Sequence, residues 1–467
     1  MKPVASPAGR ALVPTILFLL AGCAVTPVYE PPAVATPLAF KEGGGEWVRA
    51  APADLLERGP WWALFDDPVL DDLASRVEVS NQTVAAAVAG YAQARAIVAE
   101  QRAALFPVVT LDANANRSGG GGKTPTRSSY QVNIGAGWEP DVWGRLRSGV
   151  EAAGAGAQAS LADLQAARLS AQGELAAQYF NLRQLDAQHA LLAQTIAGYQ
   201  RTLTIAQNRY NAGIAARTDV LQAQTQVVNS QAELLGLERQ RAQLEHAIAV
   251  LVGQAPANFS LAPLPEWRGV VPDVPPELPS MLLQRRPDIA AAERATAQAS
   301  EQIGIARAAL FPSLRLSGSA GAGAAAAGDL FSASALAWSL GASLAQSVFD
   351  AGANRARVEG ARAKLEQAAA QYRETVLKAF QDVEDQLVAS RILRDQLALR
   401  EAAAQAANLV EQQVLNRYQA GQVSYTEVVQ AQVTAQNARR AVVQARSDRQ
   451  VAAVALIQAL GGGWRGL

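Results

Sequence analysis

NRYNAGIAARTDVLQAQ at residues 208–224 returns 208 positions later as NRYQAGQVSYTEVVQAQ at 416–432, with ten of the seventeen positions identical. The changes include Asp219 to Glu427 and Leu221 to Val429. Each copy sets a glycine, Gly213 or Gly421, between two helix-patterned stretches. Glycine takes up the left-handed backbone that ends a helix without steric cost. Thr218 or Thr426 then stands where an N-cap for the next helix is expected, with an acid just inside it. Each copy reads as the tip of a helical hairpin, and the chain as two copies of one part.

Before the first tip, seam positions alternate by three and four from Leu161 and Leu164 through Leu175, Leu182, His189 and Ile196 to Tyr210. Twelve of these fifteen positions are apolar, a sustained heptad seam. About 64 residues at roughly 1.5 Å each make a rod on the order of 95 Å. A second helix returns through Leu234, Leu237, Leu244 and Ile248 to Gly253. Gly144 to Asn208 spans 64 residues, and so does Gly352 to Asn416. The two rods are predicted to be equal.

Ahead of each rod the period changes to two. Val109, Leu111, Ala113 and Ala115 alternate with Thr110, Asp112, Asn114 and Asn116. Tyr130, Val132, Ile134, Ala136 and Trp138 alternate with polar residues or glycine, after the loop RSGGGGKTPTRSS at 117–129. The second copy repeats this with Leu314, Leu316, Gly318 and Ala320, a loop at 321–334, then Leu336, Trp338, Leu340, Ala342 and Leu344. These are strands with one apolar and one polar face. Ala104-Leu105-Phe106-Pro107 and Ala309-Leu310-Phe311-Pro312 end the preceding helices at an offset of 205.

The chain has 467 residues, with Lys+Arg and Asp+Glu both 41, so it offers no electrostatic footprint for nucleic acid. Lys2, Arg10 and the apolar run Ala11 to Leu20 read as a secretion signal. Leu20-Ala21-Gly22-Cys23 resembles a bacterial lipobox, with Cys23 acylated after cleavage. Ala24 and Val25 carry no Asp beside it, which by resemblance to enterobacterial lipoproteins favours the outer membrane. The organisation follows: signal peptide 1–22, lipidated tether 23–45, first repeat 46–253 with hairpin 107–140 and tip 208–224, and a proline-rich linker 254–280. A second repeat 281–460 with hairpin 312–349 and tip 416–432 comes next, then a tail 461–467.

Four strands with an apolar face, in a lipidated chain without a spanning helix, fit a membrane barrel. Four cannot close one, because an open edge in lipid leaves backbone groups unpaired. Three chains supply twelve strands, with Asp112, Asn114, Gln131, Asn133, Arg315 and Ser317 facing a watery lumen. Phe106, Phe311, Trp138 and Trp338 lie near strand ends, where interfacial aromatics collect. The fold class expected is mainly α with transmembrane β: long antiparallel helical hairpins forming an α-barrel, four β-strands per chain in a trimeric barrel, two internal repeats.

The lipobox, Trp61-Trp62 followed by Asp67-Pro68-Val69-Leu70, Leu282-Leu283-Gln284-Arg285-Arg286-Pro287-Asp288-Ile289 and the paired Arg-Tyr-x-Ala-Gly tips resemble the outer membrane factor family (TolC/OprM-like). Within it the chain is similar to the NodT-type lipoproteins. The resemblance implies a homotrimer in outer membrane lipid. It also implies a passive export duct of a tripartite system, partnered by a periplasmic adaptor (membrane fusion protein) and an inner-membrane pump, without catalysis. The family serves drugs, metals and secreted proteins with nearly the same duct. A lipid-anchored periplasmic coiled-coil scaffold explains rods and lipobox but leaves the strands unexplained.

The family's tube closes at its periplasmic tip through acidic rings and tyrosine contacts. Carried over by position, Asp219 matches an acid on the first hairpin and Tyr418 a gate tyrosine on the second. Glu427 falls at an outer ring acid. Gln430 stands where an inner ring aspartate is usual, and Val423 where one member has a gate arginine, so this chain departs from a salt-bridged lock. Three Glu427 carboxylates in a ring would repel one another and attract cations. Asp219 and Glu427 equally suit plain helix N-terminal acids, and both readings stay open. The same resemblance makes Gly213 and Gly421 adaptor-docking candidates, with simple capping as the alternative.

Gly119 to Thr124 imitates a phosphate loop but joins two strands rather than opening a helix. His189, read as a packed seam residue, and His246 are the only histidines, and Cys23 the only cysteine, which supply no zinc site or Cys–His pair. No cofactor is expected beyond the covalent lipid on Cys23.

Overall fold

The computed structural model describes residues 27–42, 60–121, 126–267, 269–272 and 285–462. Cys23 and the signal, residues 46–59, Lys123 and Thr124, part of the linker, Leu282-Leu283-Gln284 and the last five residues of the tail lie outside the described residues. A short turn at Trp61–Phe65 leads into α1 (Pro68–Ser80) and α2 (Gln82–Ala103). Then come β1 (Val108–Ser118), β2 (Arg127–Trp138), α3 (Arg145–Asn211) and α4 (Arg217–Leu251). The second copy repeats the order with α5 (Pro287–Ala308), β3 (Ser313–Ala324), β4 (Leu336–Ala345), α6 (Ala353–Gln419) and α7 (Tyr425–Ala459). Both rods, α3 and α6, are 67 residues long, and both return helices, α4 and α7, are 35. None of the described helices is long and apolar enough to cross a membrane.

Local chemistry sets the early boundaries. Asp67 caps α1, its Oδ1 accepting from the Val69 and Leu70 amides at 3.0 and 3.2 Å, with Pro68 at the first helical position. Asn81 caps α2 in the same way, accepting from Thr83 and Val84 at 2.9 and 3.1 Å.

The described residues fall into two compact units, one holding Gly90–Leu161 and Ala291–Glu374, the other Ala162–Ala290 and Thr375 onward. In the second, Trp61, Trp62, Phe65 and Leu70 pack on Leu175, Tyr179, Phe180 and Ile457. Tyr179 donates from its hydroxyl to Asp67 at 2.6 Å. The stretch expected as a linker is more than that. Leu261 and Trp267 pack against this core, and the Ala262 and Leu261 carbonyls accept from Arg183 and Arg241 at 2.8 and 2.6 Å. Between those arginines Asp186, buried on α3, accepts from Arg183 Nη1 at 2.9 Å, Arg241 Nε at 2.7 Å and the Leu264 amide at 3.0 Å. The seam is buried at Leu164, Leu175, Leu182, Leu192 and Ile196. It lapses at Leu161 and Tyr210, which are exposed, and His189 is half-exposed, its Nε2 3.4 Å from Glu238, rather than packed.

The first unit carries a four-stranded antiparallel sheet in the order β1-β2-β3-β4. Its register keeps the two faces continuous. Leu111 stands opposite Ile134, Ile134 opposite Ala320, and Ala320 opposite Trp338 on one face. Asp112, Asn133, Gly321 and Ala337 follow one another on the other. Gly321 is required there, because a Cβ would lie 2.5 Å from the Val132 carbonyl and 2.7 Å from Asn133 Oδ1. The strands run further than the alternation alone implies. β1 reaches Ser118 and β2 begins at Arg127, so part of the expected 117–129 loop is ladder, and β3 continues to Ala324 inside the expected 321–334 loop. Backbone pairing continues there on polar and small side chains, which alternation of hydrophobicity does not mark.

Candidate functional site

The two tips lie in the second unit and share one small core. Ala206, Ala223, Tyr418, Tyr425 and Val428 are buried together, with Leu203, Val220, Val423 and Val429 packed around them. Each rod ends as expected: Gly213 has φ +74° and Gly421 φ +76°. Both glycines are exposed, and a Cβ at Gly213 would meet nothing within 4 Å, so only the left-handed backbone calls for glycine there.

The expected caps are corrected. α4 begins at Arg217 and α7 at Tyr425, so Thr218 and Thr426 are inside their helices and the caps are Ala216 and Ser424. Ser424 and Glu427 form a reciprocal capping box, in which the Glu427 carboxylate accepts from the Ser424 amide at 3.2 Å. Copy one has alanine at that position and no side-chain cap. The Asp219 amide donates to the Ala216 carbonyl at 3.1 Å, as the Glu427 amide does to the Ser424 carbonyl at 3.2 Å.

The sequence-derived site residues therefore sit in different environments. Tyr418 is only 2% exposed, its ring edge-on to Tyr425 with centroids 5.4 Å apart. Asp219 is half-buried, while Glu427 and Gln430 are exposed. The Gln430 carbonyl accepts from Thr434 Oγ1 at 2.8 Å. Burial pushes the Tyr418 hydroxyl above its usual pKa; nearby Asp219 adds to that shift and Arg209 opposes it. Tyr425 is raised for the same first reason, with Tyr418 and Asp219 adding to it.

Arg209 was not singled out by sequence, yet it clamps the two tips. Its Nη1 donates to the Tyr418 and Gln419 carbonyls at 2.8 and 3.3 Å, and its guanidinium carbon lies 4.9 Å from the Tyr418 ring centroid. The signal available was the repeated Arg-Tyr pair, Arg209-Tyr210 and Arg417-Tyr418. Tyr425 was visible as a difference between the copies, standing where copy one has Arg217. Beside this core, Thr218, Leu221, Gln222, Thr225 and Val429 line an open groove of about 440 Å³.

The family profile described as outer membrane efflux protein matches residues 73–254 and 278–462, one match per repeat. The outer membrane protein OprJ of Pseudomonas aeruginosa is 31% identical over 458 residues, covering 96% of this chain and 95% of its own. The cation efflux system protein CusC of Escherichia coli is 28% identical, covering 96% and 98%. The solved structure of the outer-membrane channel OprN superposes with a TM-score of 0.85 at 29% identity, covering 95% of this chain and 100% of that one. Two profile matches in tandem and full-length relatives of one kind leave a single assignment: the chain belongs to the outer membrane efflux protein family.

Proposed function

We propose that this chain is the outer-membrane export duct of a tripartite efflux system, passive, and supplied by an inner-membrane pump through a periplasmic adaptor. Three copies close a twelve-stranded barrel in the outer membrane, anchored in addition by lipid on Cys23. The observation that carries this reading is the sheet. One face is apolar across all four strands, and Trp338, Leu340 and Leu344 are 75%, 81% and 70% exposed. Among the described residues, β1 and β4 have no strand partner beyond the sheet. Lipid suits the apolar face, and open edges in lipid require further copies. A coiled-coil scaffold has no use for either feature.

The tip core makes the periplasmic gate. Arg209 and Tyr418 hold the two hairpins of one copy together, and three exposed Glu427 side chains ring the opening. The groove along Leu221 and Val429, on the helices that follow the two tip glycines, suits an adaptor hairpin. Full-length relatives that serve as efflux channels support a transport role without chemistry of its own.

Size-exclusion with light scattering on the detergent-extracted protein tests the assembly. A protein mass of three chains is expected. A monomer or dimer released without detergent would return the chain to the scaffold reading.

A further inference from the structure

The stretch ahead of the first repeat is held along its length. Tyr29 donates from its hydroxyl to Glu293 Oε1 on α5 at 2.8 Å, and the Ala33 carbonyl accepts from Arg373 Nε on α6 at 3.4 Å. Further along, Phe40 is buried, its ring edge-on to Phe380. The Lys41 and Glu42 amides donate to the two carboxylate oxygens of Glu384 at 2.7 and 2.9 Å, and Glu42 pairs with Arg391 at 2.6 Å. Arg373, Phe380, Glu384 and Arg391 follow one another at steps of seven, four and seven, which is one stripe of a helix. Residues 33–42 are a strap laid on that stripe.

The strap keeps a steady pace. From Ala33 to Glu42 its nine residues pass the eighteen from Arg373 to Arg391, about 27 Å of helix at roughly 1.5 Å each. That is about 3 Å per strap residue, the rise of polyproline II, and Pro27, Pro31, Pro32 and Pro37 favour such an extended chain. Cys23 precedes Ala33 by ten residues, so the same pace carries it about 30 Å further, level with Ala353 at the start of α6. α5 gives a second measure. The six residues from Tyr29 to Cys23 reach about 19 Å, and the fifteen from Glu293 to Ala308, where α5 ends, rise about 22 Å. Both measures arrive at one place, because Asn354 Nδ2 donates to the Ala309 carbonyl at 3.3 Å.

That place is apolar and uncovered. Leu310 and Phe311, directly after Ala309, are exposed, and Val348 and Phe349, just past β4, are 95% and 88% exposed. Ser313 stands opposite Ala345, and the same count carried three residues outward sets Leu310 level with Val348. We propose that these four side chains are the landing for the acyl chain on Cys23 of the same copy, delivered there by the strap acting as a ruler of fixed length. The proposal rests on the lipidated-duct reading and adds to it where the lipid lies and what sets its place. Apolar surface at the foot of a lipid-facing sheet is stabilised by contact with hydrocarbon. Bulk lipid is the competing occupant, and only the ruler makes the contact depend on strap length.

A photoreactive lipid tests this on the full-length protein in outer membranes. Cells grown on a diazirine-bearing fatty acid place the probe on Cys23, and light followed by trypsin joins the acylated peptide 23–41 to what its chain touches. Joining is expected to peptides 308–315 and 316–355, which carry the four apolar residues. A short flexible Gly-Ser insert after Thr26 is expected to cut that yield severalfold, because it lengthens the ruler. The same insert between Gly43 and Gly44, beyond the strap, is expected to leave the yield unchanged. A free leash would respond to both inserts alike, so equal loss from the two overturns the strap. Undiminished yield with the first insert overturns the ruler, since bulk lipid then sets the contact. No joining to either peptide, in a preparation of three-chain mass, overturns the landing. A peptide 23–41 without an acyl group, or a monomeric mass, overturns the lipidated-duct reading beneath it.

Discussion

Glu427 holds a formal charge and a helix cap in the same carboxylate, and one substitution separates the two. Glutamine keeps an oxygen that accepts from the Ser424 amide, so Glu427→Gln should leave the α7 start and thermal stability unchanged. The charge is lost. Cation selectivity of the single-channel conductance is therefore expected to fall, and an unchanged reversal potential in a salt gradient would remove Glu427 from the gate. Glu301 offers a different test. Burial, opposed by a hydrogen bond with Ser148 and reinforced by Glu151, raises its pKa above the ordinary carboxylate value, so the folded chain disfavours its charge. That penalty is complete at neutral pH and disappears as pH falls through the folded and then the unfolded pKa. Glu301→Gln should raise the melting temperature at pH 7 and lose that advantage at acid pH; a difference independent of pH would contradict it. At this scale the sequence was read well for Gly213 and Gly421 as helix ends and badly for the caps. The Ser424-x-x-Glu427 box was present in the letters, but copy one has Ala216 there, and comparison of copies drew attention to the shared Thr218 and Thr426 instead.

The strands were the most legible elements, because a period of two has no competitor over eight residues, and the structure keeps every predicted apolar position on one face. The long helices were legible in length and not in neighbours. A heptad seam describes one stripe against one partner. α3 instead buries Arg183, Gln184, Leu185 and Asp186 in succession, which points it at several neighbours at once. Asp186 is the centre of that region, joining α3 to α4 and to the extended chain at Leu264. Asp186→Ala leaves Arg183, 3% exposed at its side chain, with an uncompensated charge. A loss of about 3–5 kcal/mol is expected, visible as a fall in the unfolding midpoint followed by circular dichroism. A midpoint within error of the parent would show that the arginines find other acceptors.

For the molecule as a whole, two attachments to the membrane are proposed, and they differ in strength. Lipid on Cys23 holds only the N-terminus in one leaflet, whereas a closed barrel spans the membrane and is not released without detergent. Cys23→Ser is expected to abolish incorporation of labelled palmitate while the protein still fractionates with the outer membrane and yields a trimer in detergent. Release into the soluble fraction would mean that lipid alone was holding it and that the strands are elsewhere. Family and architecture were legible at this scale from order and spacing repeated twice. The clamp by Arg209 was not, because the repeated Arg-Tyr pair marks both arginines alike and only the fold sets Arg209 across the two hairpins.

The equal rods have a consequence for how such a chain changes over generations. A codon gained or lost within α3 turns every later side chain by about 100° and also puts the two halves out of step. A matching event in α6 would be needed to restore them, and two such events seldom arrive together. Rod length is thus held by the need for the two 67-residue rods to stay in step. The hairpins, whose copies already differ by three residues between the offsets 205 and 208, are where inheritance leaves room to vary.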